Sequence, residues 1–107
     1  MAEAGTFVRA ASLEQVPAGR LVAIKLSGHN VCLANVDGEI YAFKDNCSHR
    51  DFPLSEGALE GDQIECAWHG ARFDVRSGRA LRLPAIKPIR TYEVRVEGDD
   101  IYVALEG

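Results

Sequence analysis

Two short segments pair a cysteine with a histidine, Cys47-Ser48-His49 and Cys66-Ala67-Trp68-His69, and sixteen residues separate them. Thiolate and imidazole are both strong ligands for transition metals. Two of each fill a tetrahedral zinc site, or hold a binuclear iron–sulfur centre in which the cysteines bind one iron and the histidines bind the other. The segments therefore predict a metal centre that two separate loops build together.

The order of these four residues distinguishes the two kinds of centre. A Cys₂His₂ zinc site usually places Cys near Cys and His near His, about two to five residues apart. Here the two residue types alternate along the chain, so each segment supplies one ligand to each iron of a [2Fe-2S] centre. The order favours the iron–sulfur centre, and a site that holds zinc or nothing stays as the alternative.

The residues around the two segments extend the pattern over nearly the whole chain. The informative stretches are residues 54–61, which read LSEGALEG, the second ligand segment through Gly78, and residues 84–89, which read PAIKPI. On these motifs the chain resembles the Rieske family, and within it the small ferredoxins that supply electrons to multicomponent aromatic ring-hydroxylating dioxygenases.

The resemblance implies a cofactor and its ligands. It implies one Rieske [2Fe-2S] cluster, bound by Cys47, His49, Cys66 and His69, with residues 84–89 as a proline loop that covers it. Rieske proteins of the cytochrome complexes carry an additional cysteine in each ligand loop and form a disulfide beside the cluster. Phe52 and Trp68 stand in the matching places here, so the resemblance implies the branch without a disulfide. We expect both rings to pack around the cluster, with contact to a partner protein as the alternative role for Phe52.

The rest of the chain predicts an all-β fold and a single domain over residues 1–107. Asp37-Gly38 is a strong hairpin signal, and after residue 91 apolar and charged residues alternate with the period of a half-buried strand. Ser12 is predicted to cap one helical turn that ends at Pro17. The resemblance implies a Rieske-type fold: an antiparallel sandwich or barrel-like base with a small tip made of the two ligand loops and the proline loop. The predicted strands are residues 7–10, 21–26, 31–36, 40–43, 63–66, 72–75, 92–97 and 101–105, with turns at 27–30 and 76–79.

Composition excludes several classes of function. The net charge of -4 and the scattered Lys and Arg residues argue against binding to nucleic acid. No apolar run approaches the roughly eighteen residues that cross a bilayer, and the first five residues lack the pattern of a leader, so we expect a cytoplasmic protein. The third cysteine, Cys32, lies in an apolar run and is interpreted as a small buried hydrophobic residue.

The residues that the chain lacks indicate a carrier rather than an enzyme. A Rieske oxygenase also needs a mononuclear iron, typically held by two histidines and a carboxylate, yet only His29 remains once the cluster has taken two. No G-x-G-x-x-G segment follows a strand to bind a flavin or nicotinamide dinucleotide. We therefore expect a one-electron carrier, and the resemblance implies that it works between a flavin-dependent ferredoxin reductase and a terminal oxygenase. The alternatives are a Rieske subunit or donor of another redox enzyme, such as nitrite reductase, and a non-redox zinc-binding module.

Four residues beside the ligands carry secondary predictions. Arg50 and Arg72 follow the ligand histidines and are either solvated charges or docking residues. In the high-potential Rieske proteins a Ser and a Tyr hydroxyl donate hydrogen bonds to sulfur, and Ala71 and Phe73 stand in those places here. The resemblance therefore implies a reduction potential near the bottom of the Rieske range.

Overall fold

The computed structural model describes residues 7–46, 53–66, 71–82 and 88–105. They form ten strands in two antiparallel sheets and two short 3₁₀ turns, so the predicted all-β class is confirmed. No helix among these residues is long and apolar enough to cross a membrane. The strands are β1 (Phe7–Ser12), β2 (Leu21–Leu26), β3 (His29–Val36), β4 (Glu39–Lys44), β5 (Ala58–Glu60), β6 (Gln63–Glu65), β7 (Arg72–Asp74), β8 (Ala80–Arg82), β9 (Thr91–Glu97) and β10 (Asp100–Ala104); the 3₁₀ turns are Leu13–Gln15 and Leu54–Glu56.

Six strands form what we call the large sheet, in the order β1-β10-β9-β4-β3-β2. The turn between β3 and β4 is Asp37-Gly38, and both residues have positive φ, 53° and 94°, as a two-residue type I′ hairpin requires. Ser27 and Gly28 make the equivalent turn between β2 and β3. The predicted four-residue turn at 27–30 was therefore too long, because two residues with positive φ reverse the chain and His29 pairs with Leu26.

The other four strands form the small sheet, in the order β5-β6-β7-β8. Each of its strands has only three residues. The sequence predicted β6 and β7, each one residue longer than observed, but it did not predict β5, whose Leu59 pairs with Ile64 of β6.

Strand β3 is buried on both of its faces, from Val31 to Val36. Val31 and Leu33 belong to the core of the large sheet, whereas Cys32 and Ala34 belong to a second core shared with the small sheet. The second core joins the two sheets, and its members from the small-sheet side are Leu54, Ile64, Cys66, Ala71, Phe73, Val75 and Ile89. The prediction that Cys32 is a buried hydrophobic residue is confirmed, since the side chain is 0% exposed.

Candidate metal centre

Cys66 is the one predicted ligand that lies within the described residues. It follows β6 directly, is 1% exposed, and its backbone N–H donates a 2.8 Å hydrogen bond to the carbonyl of Ala71. This bond closes the base of the second ligand loop, residues 67–70. The other predicted ligands, Cys47, His49 and His69, lie outside the described residues, as do Phe52 and Trp68. Within the described ranges, no three His, Cys, Asp or Glu residues lie together as a metal site.

The surroundings of Cys66 suit a sulfur ligand of iron. The second core around it is apolar and includes Leu54, Ala71 and Phe73, each 0% exposed. A buried, dry environment controls solvent access to a metal centre and tunes its potential. The donor chemistry and the burial at this position therefore fit an iron–sulfur cluster.

The first ligand loop begins and ends at a pair of residues that bind each other. Both carboxylate oxygens of Asp45 accept hydrogen bonds from Ser55, one from its backbone N–H and one from its hydroxyl, each 2.7 Å long. Asp45 is fixed to the large sheet, because its own N–H donates to the carbonyl of Asn30 at 2.9 Å. Residues 46–54, which include Cys47 and His49, run between the two ends of this contact.

A close backbone approach connects this loop to Cys66. Gly57 ends the second 3₁₀ turn, and a Cβ atom added there would collide with the backbone carbonyl of Glu65. Glu65 immediately precedes Cys66. The absence of a side chain at residue 57 therefore allows the end of the first loop to pack directly beside the strand that leads into the second.

Arg72 lies across the outer face of the small sheet and is held by its own chain. Its guanidinium donates to Glu60 at 2.7 Å, Glu65 at 3.1 Å and Gln63 at 3.2 Å, and its side chain is 21% exposed. The hydrogen bond to Glu60 raises the pKa of Arg72. These contacts tie β5, β6 and β7 together, so Arg72 is not simply a solvated charge. The docking role that the sequence left open for it stays a prediction. Arg50 lies outside the described residues.

The end of the predicted proline loop is anchored near the same core. The N–H of Ile89 donates to the carbonyl of Gly78 at 2.8 Å, and the side chain of Ile89 is buried. A Cβ at Gly78 would collide with the carbonyl of Ile89, and the φ of +79° at this residue also favours glycine. Residues 83–87 lie outside the described part.

Cys32 has the character of a core thiol and not of a ligand. Burial, followed by the negative charge of Asp45, raises the pKa of Cys32 well above its ordinary value. The thiolate is the form that binds metals and reacts as a nucleophile, so this thiol stays protonated and inert at neutral pH.

Sequence reasoning missed Asp45, Ser55 and Gly57. A carboxylate two residues before the first ligand cysteine was the available signal for Asp45. Its hydrogen bonds reach across ten positions of the chain, a distance that no local pattern encodes.

Comparison with known proteins decides the family. Residues 6–93 match the model of the Rieske [2Fe-2S] domain. The chain belongs to the Rieske [2Fe-2S] family. The predicted resemblance is thus confirmed, and with it the single Rieske [2Fe-2S] cluster as the cofactor of this protein.

Relatives of this Rieske protein are ferredoxins of similar length. It is 47% identical over 89 residues to the ferredoxin component of biphenyl 2,3-dioxygenase from Rhodococcus jostii, covering 83% of each chain. It is 41% identical over 100 residues to the ferredoxin component of the naphthalene 1,2-dioxygenase/salicylate 5-hydroxylase systems of a Ralstonia species, covering 94% of this chain and 96% of the other.

Solved structures agree with the fold. The ferredoxin of carbazole 1,9a-dioxygenase from Nocardioides aromaticivorans superposes with a TM-score of 0.89 at 37% identity, covering 94% of this chain and 98% of that one. A chain in the complex of reduced oxygenase and oxidized ferredoxin of carbazole 1,9a-dioxygenase gives the same TM-score at 32% identity, covering 94% of both chains. The predicted Rieske-type fold is therefore confirmed.

Proposed function

We propose that this protein is a one-electron carrier that receives electrons from a flavin-dependent ferredoxin reductase and delivers them to a terminal oxygenase acting on aromatic compounds. The observation that carries the proposal is the similarity to dioxygenase ferredoxin components over at least four-fifths of both chains. Structural similarity to a chain from an oxygenase–ferredoxin complex supports the oxygenase as the acceptor.

We assign the cluster to Cys47, His49, Cys66 and His69, with the two cysteines on one iron and the two histidines on the other. When bound, the cluster supplies a one-electron couple. The chain contributes an apolar, water-excluding environment at Cys66, the hydrogen bonds between Asp45 and Ser55, and the close approach of Gly57 to Glu65. These contacts support the assignment, because they bring the bases of both ligand loops together.

We further propose that the 107 residues act as one Rieske domain with no substrate site of its own. Three histidines are present in the whole sequence, and the cluster takes two of them, which leaves too few for the usual mononuclear iron of an oxygenase. We place the protein in the cytoplasm. The buried free thiol of Cys32 is consistent with a reducing compartment, where disulfides are rare.

Metal analysis and spectroscopy test the cluster and its ligands together. Anaerobically purified protein is expected to be red-brown, to contain about two iron and two acid-labile sulfide per chain, and to give a Rieske EPR signal after reduction with dithionite. A colourless protein with stoichiometric zinc and no sulfide would identify the zinc-binding alternative instead.

Electron transfer tests the function. Reduced protein mixed with a purified aromatic-ring dioxygenase is expected to support product formation when a flavin-dependent ferredoxin reductase and NADH are supplied. The control omits only the Rieske protein and should give little product. A cluster-loaded protein that accepts electrons from the reductase but supports no member of a panel of such oxygenases would contradict the assigned acceptor.

A further inference from the structure

The contact between Asp45 and Ser55 is built as a clamp. Both oxygens of one carboxylate bind both donors of one residue, the N–H and the hydroxyl of Ser55, at 2.7 Å each. Hydrogen bonds to an ionised acceptor are roughly twice as strong as neutral ones. Each half of the clamp is also anchored separately: Asp45 to the large sheet through Asn30, and the 3₁₀ turn of Ser55 to the second core through the fully buried Leu54.

The clamp closes the chain around residues 46–54. Bringing the two ends of a chain segment together costs conformational entropy, and the clamp supplies an interaction that offsets this cost. On its far side, the same turn ends at Gly57, which packs against the carbonyl of Glu65, next to Cys66. A displacement of Ser55 would therefore change how the first loop sits relative to the second.

We propose that Asp45 is a positioning residue for the cluster: its carboxylate holds Ser55 and thereby sets the placement of Cys47 and His49 relative to Cys66. The inference rests on the ligand assignment proposed above. The two donors on Ser55 separate geometry from charge, because Ser55→Ala removes one hydrogen bond of the clamp and leaves the negative charge of Asp45 in place.

The experiment compares Asp45→Ala, Ser55→Ala, the double variant and Ser55→Thr, each isolated with its cluster. The readouts are the EPR spectrum of the reduced cluster, its midpoint potential and the rate of cluster loss to a chelator, with far-UV circular dichroism to verify the fold. Asp100→Asn is the matched control, since it removes one negative charge from an exposed ion pair with Arg9 in the large sheet.

We expect cluster loss to be about tenfold faster in Asp45→Ala, which loses both charge-assisted bonds, and about threefold faster in Ser55→Ala. The EPR spectrum should change in both variants. The double variant should match Asp45→Ala, because the hydroxyl has no acceptor once the carboxylate is gone. Ser55→Thr, which keeps both donors, and Asp100→Asn should behave as wild type.

Three results would overturn the proposal. The first is a Ser55→Ala variant with the wild-type spectrum and cluster-loss rate. The second is that the effects of the two substitutions simply add in the double variant. The third is an altered reduction potential in Asp45→Ala with no change of rate or spectrum, which means that Asp45 acts by charge alone. If Asp45→Ala fails to fold, the comparison of Ser55→Ala with Ser55→Thr still decides. Cys47→Ser tests the ligand assignment separately: a variant that retains the Rieske cluster refutes the assignment, whereas loss of the cluster leaves it standing whatever the clamp does.

Discussion

The large sheet and the small sheet are stabilised in different ways. Strands of the large sheet are five to eight residues long, and those of the small sheet are all three residues long. The large sheet has its own core of aliphatic residues, with Val31, Leu33 and Val103 fully buried. Beyond the core that it shares, the small sheet relies on single close contacts, such as Gly57 against Glu65 and Arg72 with Glu60.

This difference indicates which sheet depends more on the cluster for its stability. Very short strands bury little surface and form few hydrogen bonds to offset the entropy of ordering their residues. The binding free energy of a metal centre that connects two loops adds to the free energy of folding. Since the second ligand segment lies between β6 and β7, we expect this addition to stabilise the small sheet. We therefore expect loss of the cluster to loosen the small sheet and to leave the large sheet folded.

Removing the thiolate of Cys66 should give the largest effect and tests this expectation directly. Cys66→Ser is expected to abolish the cluster, because a hydroxyl is a poor substitute for a thiolate ligand. Hydrogen exchange measured by mass spectrometry should then show loss of protection in β5, β6 and β7, with β2 and β3 still protected.

Cys32→Ala is the matched control for that experiment. It also removes one buried cysteine, from the other side of the second core, and should keep the cluster with only a modest loss of stability from the smaller side chain. Equal loss of protection in both sheets of Cys66→Ser would contradict the separation of the two regions.

Gly57→Ala should have the next largest effect. The added methyl group collides with the carbonyl of Glu65, and neither backbone can move without disturbing Cys66 or the turn of Ser55. Overpacking of this kind costs about 1–3 kcal/mol. Denaturant titrations followed by the visible circular dichroism of the cluster should show the midpoint falling.

Gly61→Asn serves as the control in the hairpin between β5 and β6. A Cβ there meets nothing within 4 Å, and asparagine tolerates the φ of +61°. If both variants lose the same stability, the close approach at Gly57 is not what holds the two loops together.

Regular features of the large sheet were predictable from the sequence because local chemistry specifies them. Asp37-Gly38 identifies its own turn type, and the apolar run 31–34 lies in the part of β3 that is buried on both faces. Val96 shows the limit of such local prediction. The alternating pattern predicted a half-buried residue, but Val96 is 44% exposed, because β9 pairs with β4 only at Thr91 and Tyr92.

The cofactor was predictable from the sequence, whereas the contacts that support the site were not. Alternating Cys and His residues indicated the cofactor, since ligand chemistry is a property of residue types and their order. The strand β5 and the clamp of Asp45 on Ser55 depend on contacts between segments distant in sequence, and three residues give no measurable periodicity. Such features follow from tertiary structure alone.

Arg72→Gln tests whether this arginine belongs to the small sheet or to a partner interface. We expect cluster loss to be a few-fold faster, because the variant releases Glu60 and Glu65 and leaves two carboxylates close together without their cation. Arg76→Gln is the control, since Arg76 is 55% exposed and lies 3.9 Å from the carboxylate of Asp62. If Arg72→Gln leaves the cluster stability unchanged but slows electron transfer to the oxygenase at low salt, Arg72 has a docking role.

The smallest expected effect is on the reduction potential and concerns Ala71 and Phe73, both 0% exposed beside Cys66. Neither side chain can donate a hydrogen bond to sulfur, and such bonds stabilise the reduced, more negative cluster. The wild-type midpoint should therefore lie near the bottom of the Rieske range of about -150 to +300 mV. Ala71→Ser places a hydroxyl on the residue whose carbonyl already accepts the N–H of Cys66, and Phe73→Tyr adds one on the neighbouring strand.

A net hydrogen bond of about 1 kcal/mol corresponds to roughly 40 mV for a one-electron couple, so each variant should raise the midpoint by a few tens of millivolts if its hydroxyl reaches sulfur. Protein-film voltammetry at neutral pH measures the wild type and each variant. Ala71→Val is the control, because it adds bulk at residue 71 without a donor. A similar rise of the midpoint potential in Ala71→Val would show that packing causes the change. A wild-type midpoint well above zero would contradict the assignment of the low potential to the missing donors. Because the expected shifts come from single hydrogen bonds at β7 of the small sheet, they should leave the unfolding of the large sheet unchanged.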